Sequence, residues 1–423
     1  MSRRNMFLLL STGFIAYVCH VRAEQNPYAR FVSGGYLEID RRALEDIPDQ
    51  ELFAGAMRGM VSVLNEHGDE HSWFVDQQQR DAFQEELSQE FGGVGVRIRM
   101  LGKPPMPTIL GPPEPGTPAY AADVRSGDRI VAIDGESTKG MDMLEILTKM
   151  RGPVGEPVEL ELQRLETEEP IKVSLTRAMI MVDSIYGYIR DEKNEWKYLL
   201  DRDPRIGYMQ INQFGEKTEE EMIRTLAAMK QQGMEALILD VRDNAGGALD
   251  AAVGMTELFL RAGKQIVTIR GRDGTTAERF VSTGRGGFTD IPLAVLINHQ
   301  SASASEILAA CLQDYGRAIV IGQRTFGKGT VQSLLRLEAG RSLLKLTTAT
   351  YWRPSGKNIH RMKDASENDD WGVKPDKGFE VILDDNQYQD WQRYRRRRNL
   401  FGNKKNGPVV DQVDAEDGKP PAE

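Results

Sequence analysis

Residues 293–332 constrain the fold more tightly than any other stretch. They open with Leu293-Ala294-Val295-Leu296-Ile297-Asn298, a short apolar run closed by turn residues, which predicts a buried strand. Ser301-Ala302-Ser303-Ala304-Ser305-Glu306-Ile307 follows. From there Ile307, Leu308, Cys311 and Leu312 recur at helical spacing, so a helix is predicted to begin near Ser303. Ala318-Ile319-Val320-Ile321-Gly322 is strand-like again, and Lys328 stands between Gly327 and Gly329 on the loop after it. In a parallel sheet the carboxyl ends of adjacent strands lie side by side. A hydroxyl at a strand-to-helix junction and a lysine beyond the next strand are therefore placed to meet.

That pairing has a chemistry. A serine is a poor nucleophile until a base takes its proton. A lysine, ordinarily near pKa ~10.4, serves as that base when burial disfavours its charge enough to bring it to roughly 7–8. The N–H groups exposed at the start of the helix, that of Ala304 in particular, point to where an oxyanion would form. A plainer reading covers the same residues: Ser303-x-x-Glu306 is an ordinary capping box, and Lys328 a solvated loop lysine.

Longer motifs tip the balance. The Ser301–Ile307 run quoted above, Gln313-Asp314, and Thr325-Phe326-Gly327-Lys328-Gly329-Thr330-Val331-Gln332 together resemble the signature of the carboxyl-terminal processing peptidases, also called tail-specific proteases, which use a Ser/Lys dyad. The resemblance implies Ser303 as nucleophile and Lys328 as general base, 25 positions apart (303 to 328). It implies Gln332 as the glutamine that supports the lysine, and Asp314 as an acidic residue important in some members. Asp240-Val241-Arg242-Asp243-Asn244-Ala245-Gly246-Gly247 resembles the family's second hallmark, where glycine backbone supplies the other oxyanion donor. Gly246 and Gly247 are both open for that role, and for a tight turn that needs positive φ. Alternating strands and helices indicate an α/β core, which the resemblance makes crotonase-like or ClpP-like. No G-x-G-x-x-G or phosphate-loop frame suggests a nucleotide, and no cofactor is expected.

Residues 24–90 are mostly helical in pattern, with Leu52, Met57, Met60, Val61 and Leu64 at helical spacing. In the family this region packs on the core or makes oligomer contacts. The family's Leu-Asp-Pro-His-Ser turn is loosened here to residues 64–72 and is expected to lie away from the chemistry. Residues 91–178 run from Phe91-Gly92-Gly93-Val94-Gly95-Val96 through Pro115-Gly116-Thr117-Pro118-Ala119 to Gly127-Asp128-Arg129-Ile130-Val131-Ala132-Ile133-Asp134-Gly135, and resemble a PDZ domain. Gly93, Val94, Gly95 and Val96 would then form its carboxylate-binding loop, beside a strand edge that pairs with an extended peptide. Asp123 stands where the family has glycine; Asp tolerates the left-handed region better than most residues.

The protease core is expected over 179–384, entered through a hairpin between Tyr186 and Tyr198. Thr218-x-x-Glu221 predicts a second capping box. Residues 343–347 read as a strand, and residues 351–359 and 372–376 resemble the family's closing segments. Within 385–423, Arg395-Arg396-Arg397-Arg398 reads as a solvated helix end and residues 402–423 as a disordered tail.

Composition serves mainly to exclude. A net charge of −9 argues against a nucleic-acid binder. Two cysteines, Cys19 and Cys311, lie in an N-terminal apolar segment and on a helix core face, which excludes a disulfide framework. His67 and His71 have i, i+4 spacing but no H-E-x-x-H frame, so no metal is expected. Arg3 and Arg4, an apolar run from Met6 to Val18 and the exit Val21-Arg22-Ala23 predict an export signal over residues 1–23. It is either a cleaved peptide or an anchor that associates with the membrane, and for this family it implies the periplasm or cell envelope.

The sequence therefore predicts an exported serine endopeptidase that cleaves proteins near apolar carboxyl termini through an acyl-enzyme. Its PDZ module would hold the tail, and an adaptor or a second copy would be the further partner. Two alternatives stand beside this. One is a C-terminus-binding scaffold with an inactive core. The other is a Ser-His hydrolase using His299, although no G-x-S-x-G frame surrounds Ser303.

Overall fold

A computed structural model of the chain describes residues 26–77, 79–80, 90–102, 104–114, 116–164, 167, 169–191 and 195–401. The predicted export signal over 1–23 and the predicted disordered tail over 402–423 lie outside the described residues. The chain divides into two compact units, one of residues 1–80 with 332–347 and the other of residues 81–331 with 348–423.

In the first unit, helix Pro27–Arg42 starts at Asn26, whose side chain accepts from Tyr28 N at 3.2 Å, with Pro27 at its first position. This helix buries none of its residues. Helix Asp49–Glu66 packs Ala54 and Val61 on Phe74 of strand Trp73–Val75, which pairs antiparallel with residues 343–345. The loosened turn is linked through Thr347 to Gln332 of the lysine motif. Asp69 accepts from the Ser72 hydroxyl at 2.5 Å and from Thr347 Oγ1 at 2.9 Å, and Thr347 Oγ1 accepts from Gln332 Nε2 at 3.2 Å. Burial pushes the Asp69 carboxyl up, but the Ser72 and Thr347 hydrogen bonds outweigh it and the net shift is down.

The second unit holds two cores. The first is the five-strand antiparallel run Ile98–Leu101, Met106–Ile109, Arg129–Ile133, Pro157–Gln163 and Ile171–Thr176. Strand Pro157–Gln163 buries Val158, Leu160 and Leu162 and turns the residues between them outward, the period-two pattern of a half-covered sheet. Those three pack on Ile109, Ile130, Ile133 and Ile146, the last from helix Met143–Met150. Truncating any of them to alanine removes about 2–5 kcal/mol. Asp123 takes φ +55, so the left-handed turn survives without glycine.

The second core is the sheet that positions the site. Strands Asp203–Ile211, Ala236–Asp240, Leu293–Ile297 and Ile319–Gly322 run parallel in that order, and Ile185–Tyr186 adds antiparallel at one edge. Leu237, Leu239, Val295, Ile297 and Val320 are all buried, as the near-continuous apolar runs of a covered parallel sheet require. Helix Ala304–Asp314 buries every residue from Ala304 to Leu312. The predicted hairpin forms between Ile189–Arg190 and Trp196–Lys197.

Two expectations are corrected. Thr218 begins helix Thr218–Gln231 without capping it; its hydroxyl accepts from Gly215 N at 2.9 Å, while the Glu221 carboxylate takes Ser184 N, Ser184 Oγ and Ile185 N. A tertiary partner outbids the local box. The basic run does lie on a helix, Asp385–Phe401, but Arg395 is only 11% exposed and bonds Arg242 O and Asp243. No described helix is long and apolar enough to cross a membrane.

Candidate active site

Ser303 joins strand Leu293–Ile297 to helix Ala304–Asp314 at φ +55, ψ −114, a left-handed conformation that costs about 1–3 kcal/mol for a residue with a side chain. Its surroundings impose it. Ser301 Oγ accepts from Asn298 N at 3.0 Å and donates to Val241 O at 2.8 Å, and Ala302 N donates to Asn244 O at 3.0 Å. The sharp turn presents Ser303 at the helix start, next to the Ala304 N–H of the first turn. Nucleophile elbows use the same strain, here without the flanking glycines that would have shown it in the sequence.

Glu306 is the residue that sequence reading undervalued. Its carboxylate is fully buried and receives four donors. Oε1 accepts from Thr325 Oγ1 at 2.6 Å and Gly327 N at 2.7 Å; Oε2 accepts from Ser303 N and Lys328 N, each at 2.8 Å. Two 2.8 Å bonds to one oxygen hold the Ser303 and Lys328 amides within about 5.6 Å of each other. Burial pushes the Glu306 carboxyl up to about 7, opposed by the Thr325 hydroxyl and the backbone donors. Lys328 is half-buried, and that burial lowers its pKa below the ordinary 10.5 while the Glu306 charge pulls the other way. A lysine whose charged form is penalised by burial thus stands on a loop tied to the serine's own peptide.

The Gly246-Gly247 turn closes on the same point. A Cβ on Gly246 would meet Ala302 O, Ala304 N and Ser303 Cβ within 2.9 Å, so glycine is what permits the approach. Gly246 N is taken by Asn244 Oδ1 at 2.7 Å. Gly247 has φ +146, and a Cβ there would strike Phe214 O at 2.2 Å. The Tyr351 phenol lies beside the Ser303 hydroxyl, and burial raises its pKa to about 12. Tyr351 opens the segment 351–359 that resembles one of the family's closing segments, but that resemblance carries no role for it; it reaches Ser303 from strand Ser342–Trp352. The His299 ring sits 3.4 Å from Gln323 Oε1 and 5.0 Å from the Tyr388 ring centre, which leaves no support for a Ser-His pair.

The backbones of Ser303, Ala304, Gly246 and Lys328 are therefore brought together, with Gly247 next in the turn. Asp314 is not among them. It ends the helix that Ala304 begins, 11 residues and about 16 Å along, where it pairs with Arg353 and accepts from Ser355 N at 2.9 Å. Gln332 falls in the first unit with Thr347. Of the predicted PDZ loop, Gly93 pairs in a strand with Ala178, and Val94 is buried in the antiparallel core. Gly95 and Val96 line a cleft of about 590 Å³ with Phe91, Met179 and Met181. Among the described residues no cluster of metal-ligating side chains occurs.

The family model described as peptidase family S41 matches residues 205–378, and a PDZ domain model matches residues 111–164. The carboxy-terminal-processing protease of Bartonella bacilliformis is 34% identical over 398 residues, spanning 89% of this chain and 84% of that protein. The carboxyl-terminal-processing protease of a Picosynechococcus species is 34% identical over 321 residues, spanning 76% and 71%. Among solved structures, a photosystem II D1 C-terminal processing protease aligns at TM-score 0.45 and 26% identity, over 81% of this chain and 88% of that chain. The chain belongs to peptidase family S41, and is a serine peptidase of the carboxyl-terminal processing type that carries a PDZ domain.

Proposed function

We propose that this peptidase works by a Ser303/Lys328 dyad. Neutral Lys328 takes the Ser303 proton as Oγ bonds to the scissile carbonyl carbon. The oxyanion is met by Ala304 N and, because Asn244 occupies Gly246 N, by Gly247 N. Lys328 then returns its proton to the leaving amine nitrogen, the C–N bond breaks, and water hydrolyses the acyl-serine with the lysine again as base. The observation that carries this reading is the Glu306 carboxylate, whose one oxygen receives both the Ser303 and the Lys328 amides.

The substrate class follows from the cleft beside Val96. Its Met179, Met181 and Phe91 suit an apolar tail, and backbone N–H groups near Gly95 suit the terminal carboxylate. On this reading the enzyme cuts proteins near apolar carboxyl termini. It acts after export to the periplasm or envelope, with the crotonase-like or ClpP-like core arrangement that the resemblance implies. A second copy of the chain or an adaptor is its further partner, with the exposed Tyr28 and Phe31 of helix Pro27–Arg42 as the surface.

The test uses a fluorogenic peptide with a free apolar carboxyl terminus and the same peptide amidated. Cleavage of the free form well above the amidated one, abolished by Ser303→Ala, supports the reading. Equal cleavage of both forms removes the tail preference, and cleavage by Ser303→Ala removes the dyad.

A further inference from the structure

The C-terminal helix Asp385–Phe401 contributes no described residue to the apolar core of the catalytic sheet; what it offers that core is polar. Two of its residues, Tyr388 and Arg395, converge on Asp243. Asp243 lies between strand Ala236–Asp240 and the Gly246-Gly247 turn, and it holds φ +58 although it carries a side chain. Aspartate accepts the left-handed region better than most residues, and here bonds to its side chain and its N–H fix the turn in place. Asn298 supplies two of these bonds, accepting from Asp243 N at 2.9 Å and donating to Oδ1 at 2.6 Å. The helix supplies the others. Tyr388 OH donates to Asp243 Oδ1 at 2.8 Å, and Arg395 donates to Oδ2 at 3.2 Å and to Arg242 O at 2.7 Å.

The helix is itself fixed along its length. Trp391 lies between the Arg242 and Arg395 guanidinium groups, 4.5 and 5.0 Å from its ring centre. Arg398 reaches Tyr208 OH at 3.2 Å, and Arg190 donates to Asn399 O at 3.3 Å. Immediately after Asp243 comes Asn244. Its side chain holds Gly246 N, and its carbonyl holds Ala302 N and the Ser305 hydroxyl, each at 3.0 Å.

We propose that Tyr388 and Arg395 are positioning residues of the peptidase, which hold Asp243 left-handed from the C-terminal helix and so set the Gly246-Gly247 turn against Ser303 and Ala304. The inference rests on the oxyanion reading above. Neither residue touches substrate; both act through the turn, so their loss weakens transition-state binding and leaves ground-state binding alone.

The experiment uses the full chain, fluorescently labelled denatured casein as substrate, and a peptide aldehyde as a probe whose adduct with Ser303 places an oxyanion in the turn. In Tyr388→Phe/Arg395→Met, kcat should fall roughly 10-fold, short of the 10²–10³-fold typical for outright loss of an oxyanion donor. KM should stay within about twofold and the aldehyde Ki should rise by the same factor as kcat falls. Tyr388→Phe alone, which keeps the ring stacked on Trp391, should give part of both changes. Added to Asp243→Asn, the double variant should change kcat by less than it does alone, since Tyr388 and Arg395 both bond that carboxylate and only the Arg395 bond to Arg242 O is separate. Arg393→Ala, which removes an exposed guanidinium paired with Asp390 of the same helix, should leave kcat unchanged. Wild-type kcat and Ki in both Tyr388→Phe and the double variant would overturn the proposal and leave the dyad standing. Cleavage surviving in Ser303→Ala would instead overturn the reading on which it rests.

Discussion

Glu306→Gln probes the strut between serine and lysine with one atom changed. The carboxylate faces four donors, and an amide accepts on one side only. Thr325 Oγ1 also accepts from Val373 N at 2.7 Å and its hydrogen can turn, whereas the three backbone N–H groups cannot. The least costly amide therefore points Nε2 at Thr325 and Gly327 and keeps its oxygen on Ser303 and Lys328. One buried N–H, that of Gly327, loses its acceptor, at about 1–3 kcal/mol. Global stability reads this poorly, because a second effect opposes it. The folded Glu306 pKa, near 7, lies above the unfolded 4.5, so the wild type loses stability as pH rises through that window, and glutamine does not. Local exchange reads it well. At a tenfold change per 1.4 kcal/mol, the Gly327 amide should exchange roughly 5- to 150-fold faster while Ser303 keeps its protection. kcat should fall by up to the same factor, as the loosened loop presents Lys328 for less of the time. Removing the Glu306 charge also takes away what raises the Lys328 pKa, so the pH dependence of kcat/KM should move to lower pH. Unchanged Gly327 exchange together with wild-type kcat would refute the strut.

Three further outcomes follow from the same geometry. In the wild type, kcat/KM should rise with pH along a limb centred below 10.5, since the neutral lysine is the active form and burial lowers its pKa. Over that window the unfolded chain binds the extra proton, so stability measured by denaturant titration should rise with pH too. Gly247→Ala should lose most of kcat in steady-state assays, because the Cβ meets Phe214 O at 2.2 Å and the turn must shift. Asp314→Ala should instead leave kcat near wild type at low temperature but lower the unfolding midpoint, since it strips Arg353 (11% exposed) of its charged partner and leaves it the Gln313 amide, a loss of up to about 3–5 kcal/mol.

What the sequence shows and what it hides divide along one line. Ser303, Lys328 and the Gly246-Gly247 turn sit in contiguous motifs whose local pattern, strand, sharp turn and helix, is also their structure, so they are readable in order. Glu306 was visible only as the far half of a capping box. Its second function depends on residues 325–328 folding back over it, which no spacing encodes. Glu221 makes the converse point: the local box was legible, but Ser184 and Ile185 claimed the carboxylate. The arginines of the C-terminal helix read as solvated because nothing in their own turn indicates Asp243, more than 150 positions earlier in the chain (243 to 395). Tyr351 lies in a segment that was legible, but its role was not, because Ser303 is 48 positions earlier in the chain (303 to 351).

The most direct test of the dyad is to locate the acyl group. The wild-type chain and Lys328→Ala are mixed with a peptide activated ester, quenched in acid, and read by intact mass followed by peptide mapping. A single acyl adduct on Ser303 in the wild type, lost or slowed by the 10²–10⁴-fold typical of a missing general base in Lys328→Ala, is the predicted result. An adduct on any other residue, or one forming on Ser303 at the wild-type rate without the lysine, would contradict it.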